Sequence, residues 1–239
     1  APTGIIISAI LEELNQLGNE IHAVTSLPWY EKHEVEKNWK GRGVHKLIRT
    51  DNENYGKVTR CYPFPSSKKS LIKRGIGFIG FTVMATIPTL FTRKKFDAVL
   101  TISPPLTLGL VGWVASRRHR CPHILNIQDV FPDVAIQVGA ISSPRMIKIF
   151  KKLEHFCYKK SSAISVLSED LAENVKSKIG SIESQIVVIP NFVDTRKIAP
   201  LDRQTFYRSE LNLDDQIVIM YAGNLGYSQS LDLLVEAAK

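Results

Sequence analysis

Ile217–Gly226 reads IVIMYAGNLG, and its reading decides the fold. Five apolar residues, Ile217–Tyr221, run into Ala222-Gly223-Asn224-Leu225-Gly226, and the following SQSLDLLVEAAK spaces its leucines and alanines as a helix does. An apolar run, a glycine turn and a helix make the first half of a βα unit. The backbone amides at such a turn and helix start form a ready anion site, suited to a nucleotide diphosphate. On its own one glycine pair is more often an ordinary strand-to-helix turn. The chain upstream has to decide.

Upstream, the same alternation repeats. Gly4–Leu17 carries a helical stripe (Ile5, Ile6, Ala9, Ile10, Leu14, Leu17) with Gly18 placed to end it, and EIHAVTS at Glu20–Ser26 reads as a strand. A helix opening straight after Ala1-Pro2-Thr3-Gly4 is expected to follow a strand, so the chain reads as truncated at both ends. Val44–Thr50 and Lys57–Phe64 are further strands around the turn-rich Asp51–Gly56. Asp97–Ser103, His123–Ile127, Ala163–Leu167 and Ile186–Ile189 are strands, separated by helices from Pro104 to Arg117, Arg145 to Lys160 and Ser168 to Ile179, the last capped by Ser168. Apolar strands alternating with helices imply parallel sheets covered on both faces. Ligands bind such sheets at the carboxyl ends of strands, which singles out Gly4, Ser103-Pro104, Gln128-Asp129, Ser168 and Gly223–Gly226. The polar residues 195–215 read as the crossing to a second domain.

Composition narrows the class. With 44% apolar and 23% charged residues the chain is an ordinary globular one. Cys61, Cys121 and Cys157 are odd in number and far apart, which argues against a disulfide framework or zinc knuckle and fits a reducing compartment. The histidines show no ligand spacing, so no metal is expected. The net charge of +8 is local: Lys57–Lys95 holds nine basic residues and no acid. A local basic patch points to a partner. Its aliphatic rather than aromatic interleaving speaks against nucleic acid.

Within that patch, KKSLIKR precedes the uncharged Gly75–Thr92 and RKK follows it. A spanning helix needs about twenty apolar residues and few breakers, whereas this run holds four Gly and Pro. A core helix explains the apolarity but not the basic brackets. A helix lying in an anionic membrane surface explains both, with Lys68, Lys69, Lys73, Arg74, Phe78, Phe81, Arg93, Lys94 and Lys95 as its contacts.

Taken in order, the motifs carry a resemblance. APTG with its helix and GNEIHAVTSLPWY, then ILNIQDVFPDVAIQVGAI, SVLSEDLAENV, VIPNFVDTRKIAP and YAGNLGYSQSLDLLVEAA resemble bacterial glycosyltransferase family 4 over essentially the whole chain. Within it they look most like the colanic-acid and O-antigen branch, fucosamine-transferase-like members included. The resemblance implies an α/β protein of GT-B type. Residues 1–192 would be a Rossmann-like, acceptor-side domain with a parallel sheet and no first strand, 193–215 the crossing, and 216–239 the first βα unit of a second, truncated Rossmann-like domain.

The implied reaction moves a sugar, with retention, from a nucleotide-sugar to a saccharide acceptor linked to polyprenyl diphosphate. It would serve exopolysaccharide or lipopolysaccharide synthesis, in the cytoplasm and peripheral on the inner face of the cell membrane. No cofactor and no metal are implied, the nucleotide-sugar being a substrate.

Residue by residue, Gly4 falls on the family's loop after the first strand, near donor phosphates and acceptor. Gly223, Asn224, Leu225 and Gly226 match the loop whose amides approach the donor diphosphate. Gln128 and Asp129 stand where many relatives carry a His-Asp pair in the acceptor cleft. Gln128 supplies no imidazole but retains a hydrogen bond for acceptor or sugar. Asp129 either orients the acceptor hydroxyl or caps the turn before Pro132. Relatives place a basic diphosphate clamp and a Glu-x7-Glu motif beyond the point this chain reaches, so residues 1–239 alone are expected to be inactive. Two other readings stay open: a non-catalytic, membrane-recruiting half of a split GT-B enzyme, and a sugar-nucleotide 2-epimerase.

Overall fold

Helix α1, Pro2–Gln16, stops where its sequence says it should: Gly18 takes φ +85°, a conformation that costs glycine least. There the Asn19 amide reaches Leu14 O (3.1 Å) and the Gly18 amide reaches Asn15 O (2.9 Å), closing a Schellman cap. The computed structural model describes residues 2–29, 34–41, 47–65, 71–139, 141–180, 185–213, 215–223 and 230–238, with the side chains of 2, 3 and 71–74 outside that description. After α1 come β1 (Ile21–Ser26), β2 (Ile48–Glu53), β3 (Gly56–Cys61), α2 (Leu71–Phe91), β4 (Val99–Ser103), α3 (Leu108–His119), β5 (His123–Ile127) and α4 (Asp133–Gln137). Then follow α5 (Pro144–Lys160), β6 (Ala163–Val166), α6 (Glu169–Ile179), β7 (Gln185–Val188), α7 (Phe206–Glu210) and α8 (Asp232–Ala237). Ser168 caps α6, its Oγ accepting from the Leu171 amide at 3.3 Å.

The strands form two sheets, ordered β1-β3-β2 and β4-β5-β6-β7. The second is parallel throughout, as the alternation with helices requires. The first corrects the expectation of parallel sheet only. β1 lies parallel to β3, but β2 pairs antiparallel with it, because the two-residue turn Asn54-Tyr55 leaves no room for a crossover. α2 spans both sheets. Its Met84 carbonyl meets Cys61 at the end of β3, and its Thr82 meets Thr107 just past β4. At its other end the Thr89 and Leu90 carbonyls meet His119 and Arg118, at the close of α3. α2 therefore runs against β1, β3 and the strands of the second sheet, which point their carboxyl ends the same way. Among the described residues β1 pairs only with β3, and β4 only with β5.

The main core is built by Leu125 and Ile127 of β5 and Ile164 and Val166 of β6, under Cys157 and Tyr158 of α5 and Ala172, Val175 and Ile179 of α6. Each fully buried aliphatic there contributes roughly 1.5–3 kcal/mol. An imidazole is buried beside them. His123 is 0% exposed, with Nε2 2.7 Å from Thr101 Oγ1 and Nδ1 3.4 Å from Ser161 Oγ. Ser161 gives its own proton to Cys157 O, so Nδ1 carries the hydrogen and Nε2 accepts from Thr101. The ring fits because α3 has no side chain at Gly112, where a Cβ would lie 2.0 Å from Nε2.

Gly75–Thr92 makes up most of α2, whose two faces differ in exposure. Thr82, Met84 and Ala85 are buried against the sheets, so one face is core. Pro88 lacks the amide that would bond Met84 O, and the buried Cys61 thiol donates to that carbonyl instead, at 3.4 Å. The opposite face is also apolar: Ile76, Ile79, Val83, Ile87 and Leu90 form an exposed stripe, with Ile76 62% and Val83 57% accessible. Among the described residues no helix is long and apolar enough to cross a membrane.

The chain divides into compact units at Ala1–Asn191 and Phe192–Lys239. In the second, α8 forms as expected, but Ile217–Tyr221 is not a strand; it lies exposed, with Ile217 90% accessible. A strand is defined by its ladder, and the described residues of 192–239 contain no other strand to pair with it.

Candidate functional site

The candidate site lies at the carboxyl ends of β4–β7, where a parallel α/β sheet offers its crevice. A side-chain ladder crosses these ends. Asn126 and Ser165 are register partners in β5 and β6, and Asn126 Nδ2 donates to Ser165 Oγ at 2.9 Å. Gln128 Nε2 donates to Asn126 Oδ1 at 2.6 Å, and Asn191, just past β7, donates to Gln128 Oε1 at 3.1 Å. Gln128 is thus a structural link, and among the described residues one of its Nε2 hydrogens has no acceptor. Asn126, Ser165 and Asn191 were not singled out in the sequence. The available signal was a polar residue inside two successive apolar strands, HILNI and AISV.

The turn after β5 is anchored residue by residue. The Gln128 amide donates to Ser103 O at 2.9 Å, closing the turn onto the end of β4. Val130 and Pro132 are buried. Phe131 meets Phe150 of α5 edge-on, centroids 5.1 Å apart. Asp133 is bonded by Lys178 of α6 at 2.7 Å. Asp129 alone is exposed, and no described residue hydrogen-bonds its carboxylate. The capping alternative for Asp129 is therefore not what the structure contains. A lone carboxylate held by fixed neighbours can accept a hydrogen bond from a ligand hydroxyl without first reorganising.

The remaining expected residues are dispersed. Gly4 lies in the first turn of α1 rather than in a loop, exposed and with open space where a Cβ would be. Gly223 sits in the second unit beside the Tyr221 ring, its Cβ position 2.8 Å from the hydroxyl. Asn224, Leu225 and Gly226 fall outside the described residues, as do Lys68 and Lys69 and the side chains of Lys73 and Arg74. Phe78 stands at the margin of the exposed face of α2, 36% accessible, and Phe81 is half-buried, because the helix turns Ile76, Ile79 and Val83 outward in their place. Arg93, Lys94 and Lys95 are exposed, Lys94 ion-paired with Glu20. Among the described residues no three His, Cys, Asp or Glu side chains converge as a metal site would need.

Two comparisons with known proteins bear on this geometry. Over 237 residues the chain is 23% identical to the "Putative colanic acid biosynthesis glycosyl transferase WcaI" of Escherichia coli (strain K12), covering 96% of this chain and 56% of that protein. The chain thus spans just over half the length of this curated relative. The profile of the Glycosyl transferase 4-like domain matches residues 4–191, which contain both sheets, the ladder and the Asp129 turn. The chain belongs to the glycosyl transferase 4-like domain family.

Proposed function

We propose that this chain is the acceptor-side part of a retaining glycosyltransferase that moves a sugar from a nucleotide-sugar to a lipid-linked saccharide in cell-surface polysaccharide synthesis. The observation that carries the reading is Asp129: an exposed carboxylate with no hydrogen-bond partner among the described residues, on an otherwise anchored turn at the strand ends of a family member. Asp129 would accept the proton-bearing side of the acceptor hydroxyl and hold its oxygen towards the sugar carbon. Gln128, fixed by Asn126 and Asn191, would keep one donor for the acceptor or transferred sugar. The Gly223–Gly226 turn would receive the donor diphosphate through backbone amides. Charge on the leaving diphosphate has to be met by fixed donors and cations.

The acceptor's lipid gives the outward face of α2 a role. An exposed aliphatic stripe that ends at Arg93 and Lys95 suits the boundary of an anionic membrane, aliphatics among the acyl chains and cations at the headgroups. This would hold the protein peripherally on the cytoplasmic face.

The test is release of nucleoside diphosphate from a nucleotide-sugar by the full-length protein, with isolated lipid-linked saccharides as acceptors. Asp129→Asn should lower the rate by about 100-fold or more at an unchanged melting temperature. Full activity in Asp129→Asn would remove the carboxylate from the mechanism. Absence of transfer by the parent protein, with vesicle binding intact, would favour the membrane-recruiting reading.

A further inference from the structure

A part-buried charge cluster, with Glu154 its one fully buried member, holds the far end of the turn that presents Asp129. Lys178, in the last turn of α6, places Nζ 2.7 Å from Asp133 Oδ2 and 2.7 Å from Glu154 Oε1. Glu154 on α5 is only 3% exposed, and Tyr158, one turn on, donates its hydroxyl to the same Oε1 at 2.9 Å. Asn174 of α6 adds a long bond to Asp133, at 3.4 Å. Burial, reinforced by the Glu154 carboxylate, pushes the Tyr158 hydroxyl far up its range, so it remains a donor. One ammonium therefore joins α4, α5 and α6.

Such a cluster is a poor device for stability alone, since an apolar group of similar volume in place of a buried ion pair is often neutral or stabilising. What it supplies here is a position. α4 is five residues long and carries no buried residue of its own. Its location rests on what grips its ends, and Asp133 is its first residue, four past Asp129.

We propose that Lys178, Glu154 and Asp133 are positioning residues: Lys178 pins the start of α4 to α5 and α6 and so fixes where the Asp129 carboxylate stands. The consequence for turnover rests on reading Asp129 as the acceptor-orienting group; the clamp itself does not.

Two measurements on the full-length protein separate these. The first is amide hydrogen exchange over residues 128–136, which needs no activity. The second is steady-state sugar transfer. Lys178→Met strands Glu154 in the core and risks unfolding, so the decisive variant is Glu154→Gln/Lys178→Met, which leaves an acceptor for Tyr158 and no buried charge. In it, exchange of the Val134 and Ile136 amides should rise about 10-fold or more while β5 and β6 keep their protection. Turnover should fall about 10- to 100-fold at constant KM for the nucleotide-sugar, as a small displacement of a catalytic group does. Lys178→Arg should restore both. Unchanged local exchange, or exchange that rises uniformly across the sheet, would overturn the clamp. Raised local exchange with normal turnover would keep the clamp and refute its link to Asp129. A parent protein that transfers no sugar would sink the functional reading, and the exchange result would still decide the clamp.

Discussion

His123 ties stability to pH in a way that can be worked through. Burial lowers its pKa from the usual 6.5 to about 4. In the folded chain the ring is neutral, with Nδ1 donating to Ser161 and Nε2 accepting from Thr101. Protonation would put a second hydrogen on the ring, at Nε2, and a charge in the core. The unfolded chain binds that proton readily near pH 6.5 and the folded chain resists it. Stability from this residue is therefore complete above about pH 6.5 and drains away as the pH falls towards 4. At about 1.4 kcal/mol per tenfold in proton affinity, the full loss is about 3 kcal/mol, of which about 2 kcal/mol is gone by pH 5.

The assay is urea unfolding at closely spaced values from about pH 7.5 to about pH 5, a window that stays above most carboxylate titrations. It compares the parent with His123→Gln, whose side chain does not titrate. The variant is expected to start less stable, and its curve should fall about 2 kcal/mol less across the window. Parallel curves would refute the reasoning. So would an imidazole resonance assigned to His123 that titrates near 6.5 in the folded protein.

Other expectations are more direct. Gly112→Ala drives a methyl into the His123 ring from 2.0 Å and should cost about 1–3 kcal/mol or more in chemical denaturation; a loss within error would mean the ring has room to move. The Cys61 and Cys157 thiols are buried and pushed up to about 11 and about 12, whereas Cys121 is part-exposed and raised less. Alkylation of the native protein near neutral pH, followed by mass spectrometry, should therefore label Cys121 first and leave the other two until unfolding. Ile79→Asp/Val83→Asp should weaken flotation with vesicles containing anionic lipid by about 10-fold or more, and raised salt should weaken the parent as well; equal flotation of the variant would remove α2 as the contact.

Local signals carried much of the fold. Gly18 and Ser168 set their helix ends, and the apolar runs at His123–Ile127 and Ala163–Leu167 lie within a residue of β5 and β6. These features depend on backbone preferences a few residues wide. The partition of α2 was not legible, because its sequence is apolar on every side and only contact with β3 and α3 decides which face is covered. The ladder was equally hidden: Gln128 and Asn191 are 63 positions apart, and nothing in either neighbourhood announces the other. Asp129 was legible as a candidate by its place at a strand end, yet its isolation became visible only once every neighbour had a partner. The expected strand at Ile217–Tyr221 failed because β propensity describes a residue's fit to a sheet and does not supply the sheet.

The two sheets end on four edges, and the chain treats them differently. The outer ones are defended: β2 carries Arg49, Asp51 and Glu53, and Pro190 stands two residues past the end of β7. Charges and proline discourage edge-to-edge association. The inner ones, IHAVTS in β1 and VLTIS in β4, have neither Lys, Arg, acid nor proline. Both belong to the unit that α2 bridges, and they run in the same direction. In gatekeeper residues they are written as interior strands. Among the described residues each leaves one row of amides and carbonyls without a ladder partner.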